Sequence, residues 1–525
     1  QFRMGDAGVG QVMEAGGVTA RADDSVRQLQ QRMIETGWGQ IPVVDDDGAI
    51  VGVATRTDLI RLWGAPPTGS QRKGVAALLE QALSPAVLAL IRAISRTAQA
   101  IGAVPYFVGG PVRDLLLGAP ITDIDLVVEG DAIVLAQRMA ASMGGRVRPH
   151  RQFGTAKWLL SQRVWRQFTG RPGAPDLPGS IDFVTARTEF YAQPTELPQV
   201  ASSSIKQDLH RRDFTINTLA IRLDPDHWGE LLDFFGGEAD LRNGVIRVLH
   251  SLSFVDDPTR MLRAARFESR LGFRIDPRTQ QLIVDALPLL KRVSGSRIRH
   301  ELALLFAEAE PERALHRLDE AGILAELNPG LRCDRWLQRK IGLLRGALPF
   351  DAWGLTAEDR FFLHLALLTC RLEDDDFEQF VRYLQLARDD SDDLHLVHSF
   401  SATRRKLARM RQPSHVAHLL EPYPSRVLAA AWVISDGPQV RAHLWRYQTE
   451  WRLVQPEISG DDLKAMGLKP SPLFGDLLEA LRDGRLDGTL SSRADELALV
   501  EKLLPGAPES LQQTASRPAE ADTEP

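Results

Sequence analysis

GGPVRDLLLG at residues 109–118, followed five positions later by Asp123-Ile124-Asp125, decides the reading of this chain. Gly109 and Gly110 let the backbone approach a ligand closely, and Pro111 suits the first turn of a helix, where its missing N–H goes unneeded. Free N–H groups at that helix start, together with its dipole, attract phosphate. Val112, Leu115 and Leu116 fall at i, i+3 and i+4 and predict a helix face anchored to a core. Arg113 and Asp114 then face away from it, with Arg113 placed to hold a triphosphate.

The next segment alternates as a strand. Ile124, Leu126 and Val128 take one face, while Asp123 and Asp125 take the other, roughly 7 Å apart along the strand. Two such acids repel unless cations lie between them, and Mg²⁺ prefers a few carboxylates together with phosphate oxygens. Two ions roughly 3.5 to 4 Å apart could activate an attacking hydroxyl and neutralise a leaving pyrophosphate. A third acid, Asp182 in SIDFVTAR, sits in a second strand with Ile181 and Phe183 on the opposite face.

The chain has 525 residues, which predicts about three units from a prior of roughly 100–200 residues per domain. A net charge of −6 excludes a uniformly basic nucleic-acid coat, so any polynucleotide must be held by local patches. Two cysteines, Cys333 and Cys370, lack metal-ligand spacing and are too few for a disulfide framework. With no secretory segment and no apolar run of about 18 residues, the reading is cytoplasmic with no membrane partner. The chain opens on Gln1 inside a pattern, which points to a longer polypeptide.

Residues 1–63 alternate helical and strand signals: an amphipathic run from Val26 to Ile34, a strand from Ile41 to Val44, an Asp47-Gly48 turn, and a strand from Ile50 to Ala54. Residues 64–84 are a Pro/Gly/Ser-rich linker and the start of a helix. Periodicity from Val75 to Ile101 is helical, strand and turn patterns run to about Val248, and periodic helix follows from Pro258 to Leu504. Residues 505–525, with almost no bulky apolar side chain, are expected to be disordered. The RRKLARMR cluster at 404–411 is either a solvated helix face or a nucleic-acid contact.

GGPVRDLLLGAPITDIDLVV (109–128) resembles the signature of the class II tRNA nucleotidyltransferases and bacterial poly(A) polymerases. LHRRDFTINTLA (209–220), LLDFFGGEADLRNGVIRVL (231–249) and FVDDPTRMLRAARFESRLGF (254–273) keep the resemblance in order, with SGSRIRHEL (294–302) a weaker fifth match. IPVVDDDGAIVGVATRTDLI (41–60) resembles a CBS module, including a Thr55/Asp58 pair. The implied fold class is α+β: a polymerase β-like head at 85–250, then an all-helical neck at 251–330 and body and tail at 331–504. The CBS module stands ahead of them. That module either packs as one of a pair or takes an adenine nucleotide.

The resemblance implies that Arg212, Asp213 and Asn217 hold ribose and phosphates, although Asp213 could equally cap the helix that follows. Asp257 and Arg260, i,i+3 neighbours on one helix face, would read the base through its amino group and ring nitrogen; an exposed ion pair is the plainer alternative. Arg263 and Arg266 would reach the triphosphate. Asp256 stands where the family usually has Glu. The implied activity is metal-dependent addition of A to the 3′ acceptor end of tRNA from ATP, with CTP used if cytidines precede it, releasing pyrophosphate. Asp123, Asp125 and Asp182 would be catalytic, the first two holding two Mg²⁺. The rivals are a poly(A) polymerase on general RNA and a non-catalytic CBS-based adenine-nucleotide sensor.

Overall fold

The computed structural model describes residues 17–36, 38, 40–55, 58, 69–121, 124–169, 178–190, 199–469 and 471–504. Asp123 lies outside these residues, as do the linker core at 64–68 and the tail at 505–525. The chain separates into two compact units, residues 1–293 and 294–525.

The first unit opens with a three-stranded sheet: β1 (Ala20–Arg21), β2 (Gln40–Val44) and β3 (Ile50–Thr55), with the helix Val26–Thr36 before β2. The β2–β3 turn is set by Asp45, whose Oδ1 accepts from the N–H groups of Asp47 (3.1 Å) and Ala49 (2.8 Å). Thr55 Oγ1 donates to Asp58 Oδ2 at 2.6 Å, so the pair noted in the sequence is satisfied internally. The stretch from Val75 to Ile101 read as helical falls in two helices, Gly69–Ala82 and Pro85–Ala100. Ser84 accepts from Val87 N and Pro85 follows it, so a new N-terminus forms there.

The main sheet of this unit has seven strands. They are β4 (Val104–Val108), β5 (Asp125–Glu129), β6 (Arg146–His150), β7 (Thr155–Leu159), β8 (Ser180–Thr185), and, past the β9 (Arg187–Phe190) and β10 (Gln199–Ser202) hairpin, β11 (Ala220–Arg222) and β12 (Leu231–Leu232). The spatial order is β12-β11-β4-β5-β8-β7-β6, and β5 and β8 run parallel while the other pairs are antiparallel. On one face Leu126, Val128, Ala156, Trp158, Ile181 and Phe183 are buried beneath the helix Ala132–Met143. Asp131 caps that helix, accepting from Ile133 N (2.8 Å) and Val134 N (3.0 Å).

The helices Ser253–Asp256, Arg260–Leu271 and Pro277–Ala286 complete the unit. The second unit is helical from Gly295–Phe306 to Arg493–Leu503, with no strand among its described residues. Its buried Lys340 donates to Asp436 Oδ1 at 2.7 Å and to the Ser435 carbonyl at 3.3 Å. None of the described helices is long and apolar enough to cross a membrane.

Gly237 begins the short helix Gly237–Arg242 against the turn Thr215–Asn217, where a Cβ would lie 2.3 Å from the Thr215 carbonyl oxygen. Gly237→Ala should therefore displace that turn and cost about 1–3 kcal/mol of stability. Urea unfolding of the first unit's transition measures this, and an unchanged midpoint would contradict the close approach.

Candidate active site

The chain leaves β4 at Gly109, whose φ of +74° and whose neighbours both demand glycine: a Cβ there would meet Arg212 Nη1 at 2.8 Å and the Asn217 carbonyl at 3.3 Å. Phe107 pairs with Leu126, so this turn stands beside the start of β5 and Asp125. The helix that follows, Gly110–Leu116, has only seven residues. Val112 and Leu115 are buried as expected, but Leu116 is only half-buried. Arg113 is 3% exposed and lines a cavity.

That cavity, ≈ 430 Å³, is lined by Gly110, Arg113, Arg212, Asp213, Asn217, Asp257, Arg260, Arg263 and Arg266, all singled out in the sequence. Arg211, Phe267 and Arg270 line it too and were missed. Continuing the helical spacing from Arg263 and Arg266 through 267 and 270 finds the last two. Seven arginines against two acids make it strongly cationic, matched to a polyphosphate.

The arginines are held in place by a few acceptors. Arg113 Nη1 donates to Asn217 Oδ1 at 2.8 Å, and Asn217 Nδ2 donates to Asp213 Oδ1 at 2.9 Å. Arg263 grips Asp213 Oδ2 through Nε (2.9 Å) and Nη2 (2.6 Å). Asp213 also accepts from Phe214 N at 2.8 Å. Burial alone would raise this carboxyl, but the Arg263 charge and the Asn217 amide outweigh it and hold it below the usual range. Fully buried Asp208, also unforeseen, takes Arg211 Nη2 (2.8 Å) on one oxygen and Arg212 Nη2 (3.0 Å) on the other. Burial pulls the Arg212 guanidinium below its ordinary value, with Asp208 opposing. Phe267 lies under three guanidinium groups, those of Arg113 (5.2 Å), Arg263 (5.6 Å) and Arg266 (5.0 Å).

Asp257 and Arg260 both line the cavity, but not as neighbours on one helix. Asp257 is extended (φ −143°, ψ 98°) in the turn between two helices, and its Oδ1 accepts from Thr259 N (3.0 Å) and Oγ1 (2.7 Å). Pro258 disfavours helical backbone at the residue before it, which breaks the predicted continuity. Arg260 Nη2 donates to the Arg211 carbonyl at 2.7 Å, tying this helix to the segment carrying Arg212 and Asp213.

Asp125 and Asp182 are register partners on the parallel strands β5 and β8. Ile181 and Phe183 are buried on the reverse face, as the alternation required. Lys157, which the sequence did not suggest, places Nζ 2.9 Å from Asp182 Oδ2. Where Asp123 lies relative to these two falls outside the described residues.

A glycine turn beside an acidic strand, opening on an arginine-lined cavity, defines a nucleotidyltransferase-type head. Residues 105–247 match the poly A polymerase head domain, 272–334 the probable RNA and SrmB-binding site of polymerase A, and 9–64 the CBS domain. The chain is 33% identical to an A-adding tRNA nucleotidyltransferase of Halalkalibacterium halodurans over 80% of its own length and 93% of the relative's. An A-adding tRNA nucleotidyltransferase of Geobacter sulfurreducens is also 33% identical over 96% of the chain, which spans 58% of that relative's length. An apo CCA-adding enzyme superposes with a TM-score of 0.70 at 33% identity, over 82% of this chain and 99% of the other. A Thermotoga maritima CCA-adding enzyme complexed with tRNA gives 0.66 at 31%, over 82% and 98%. The chain belongs to the class II tRNA nucleotidyltransferase family, with a CBS domain ahead of its head.

Asp213→Asn would leave the Arg263 guanidinium half-orphaned and should cost about 3–5 kcal/mol at neutral pH. Because the folded carboxyl sits below its ordinary value of 3.8, its contribution is complete above about pH 4 and is lost as pH falls through the depressed value. Chemical denaturation at several pH values should show wild type and variant converging only in strong acid; a constant gap down to pH 2 would refute the linkage.

Proposed function

We propose that this protein adds adenosine to the 3′ end of tRNA, taking ATP as substrate and releasing pyrophosphate. The observation that carries the reading is the arginine-lined cavity opening beside Asp125. Relatives named A-adding align over 80–96% of this chain, while those named CC-adding or CCA-adding align over 43–75%. That contrast favours A addition over the full CCA sequence, with CTP then dispensable.

Asp125 and Asp182 fit divalent cations: they are hard oxygen donors side by side, and Asp182 already draws the Lys157 ammonium to 2.9 Å. Asp123 and Asp125 would hold two Mg²⁺, with Asp182 in support, and these would neutralise phosphate charge and make the terminal 3′-hydroxyl a better nucleophile. Arg113, Arg212, Arg263 and Arg266 orient the triphosphate with the α-phosphate facing the acids. Asp213 and Asn217 keep those guanidinium groups in place and border the ribose. Asp257 offers an acceptor to the exocyclic amine of adenine and Arg260 a donor to its ring nitrogen, so a fixed protein edge selects the base.

Asp125→Ala should lower nucleotide addition at least about a thousand-fold with the thermal midpoint retained. Acceptors ending before CCA, after C and after CC, each given ATP or CTP alone, read the product: one A on the CC-ended tRNA is expected. A long ladder on unstructured RNA would favour a poly(A) polymerase instead.

Arg260→Ala should reduce the preference for ATP over GTP and UTP by about 10–100-fold, the discrimination that one bidentate base interaction supplies. Competition between nucleotides at saturating tRNA measures it. A change confined to tRNA affinity would exclude a base-reading role.

A further inference from the structure

The sheet face bearing the acids continues beyond them. Asp125 on β5 is beside Asp182 on β8, Asp182 is opposite Lys157 on β7, and Lys157 is opposite Arg148 on β6. From strand spacing, these neighbours of Asp125 stand about 5, 10 and 14 Å away along one row. Alternation along β6 brings Arg146 to the same face, and both arginines are exposed. Among the described residues no carboxylate forms an ion pair with either.

Like charges directly opposite each other across a ladder destabilise a sheet. Arg148 and Lys157 are such a pair. An edge strand that concentrates unneutralised cations next to an ammonium is suited to an anion from outside.

The position of the row says which one. The cavity opens on the β4/β11 side of the acids, where Gly110 follows β4 and Asn217 precedes β11, whereas the cations extend on the β7/β6 side. In-line displacement puts the attacking and leaving oxygens on opposite sides of the phosphorus. With the triphosphate in the cavity, the attacking hydroxyl comes from the β8/β7 side, and the phosphates behind it must run over β7 and β6.

We infer that the β6–β7 face is the track for the single-stranded 3′ end of the RNA acceptor, with Arg146 and Arg148 on its phosphates. This rests on the nucleotidyl-transfer reading above. Phe153, 47% exposed in the turn between the two strands, offers a ring for an unpaired base to stack on.

The test is the Arg146→Ala/Arg148→Ala double variant in the full chain, compared with wild type across a salt series. One arm follows addition of A to a CC-ended tRNA; the other follows anisotropy of a labelled single-stranded RNA ending in CC. The slope of log affinity against log salt should become shallower by about 0.7 for each phosphate no longer neutralised. KM for tRNA should rise about five-fold while kcat, KM for ATP and the thermal midpoint hold, since an arginine on a phosphate acts on binding alone. Arg148→Lys should restore most of the slope, and Arg148→Glu should raise KM further. An unchanged slope and KM, or an equal rise in KM for ATP, overturns the track. If wild type transfers nothing to any acceptor, the function proposed above fails, while the oligonucleotide arm still decides whether this face binds RNA.

Discussion

The site depends on holding many like charges together out of water. Guanidinium groups of Arg113, Arg263 and Arg266 crowd around one ring, that of Phe267, and Arg211 and Arg212 share one carboxylate. Such an arrangement is costly, because each cation loses hydration and repels its neighbours. Asp208 and Asp213 offset part of that cost, and the ring's negative face offsets a little more. The uncompensated remainder is a positive field focused in a low-dielectric cleft, which under the proposed function a triphosphate would complete. Preorganisation here means that the folding energy of the surrounding sheet and helices has already assembled what the substrate would otherwise have to gather.

The sheet supplies the opposite sign close by. Parallel pairing of β5 with β8 brings Asp125 and Asp182 side by side although 57 residues separate them, and their sequence neighbours Leu126, Ile181 and Phe183 lock the register from beneath the helix Ala132–Met143. A slip of one residue would bury a carboxylate and expose Leu126 and Val128 in β5, or Ile181 and Phe183 in β8, so the apolar face fixes the polar one. Acids in the middle of the sheet and cations toward both sides follow from strand order alone.

Much of this was legible where local rules dominate. The glycine turn, the faces of β5 and β8 and the Asp47-Gly48 hairpin follow from period and spacing, whereas Arg212, Arg260, Arg263 and Arg266 were marked by the family resemblance. What escaped depends on partners distant in sequence. Amphipathic reasoning turns Arg113 away from the core but does not show that Asn217, 104 residues on, accepts its hydrogen bond. Asp208 looks like an ordinary helix acid, and Lys157 an ordinary strand lysine, until the tertiary fold supplies their counter-charges. Asp257 is the exception: Pro258 next to it was readable, and its bias against helix at the preceding residue should have moved Asp257 out of the helix.

Placing Asp257 in the turn alters how the proposed base selection would work. On a helix, an i,i+3 carboxylate and guanidinium would neutralise each other across the surface and present little to a ligand. In the turn, Thr259 fixes one oxygen of Asp257 while the Ser253 and Arg211 carbonyls fix Arg260. Both groups line the cavity from these positions. The Arg211 carbonyl precedes Arg212 and Asp213 directly in the chain, so Arg260 is coupled to those two residues through one peptide segment. Under the proposed function, selection of the base and alignment of the triphosphate would then be one mechanical arrangement, so a nucleotide that fits the edge badly would also be held badly at its phosphates.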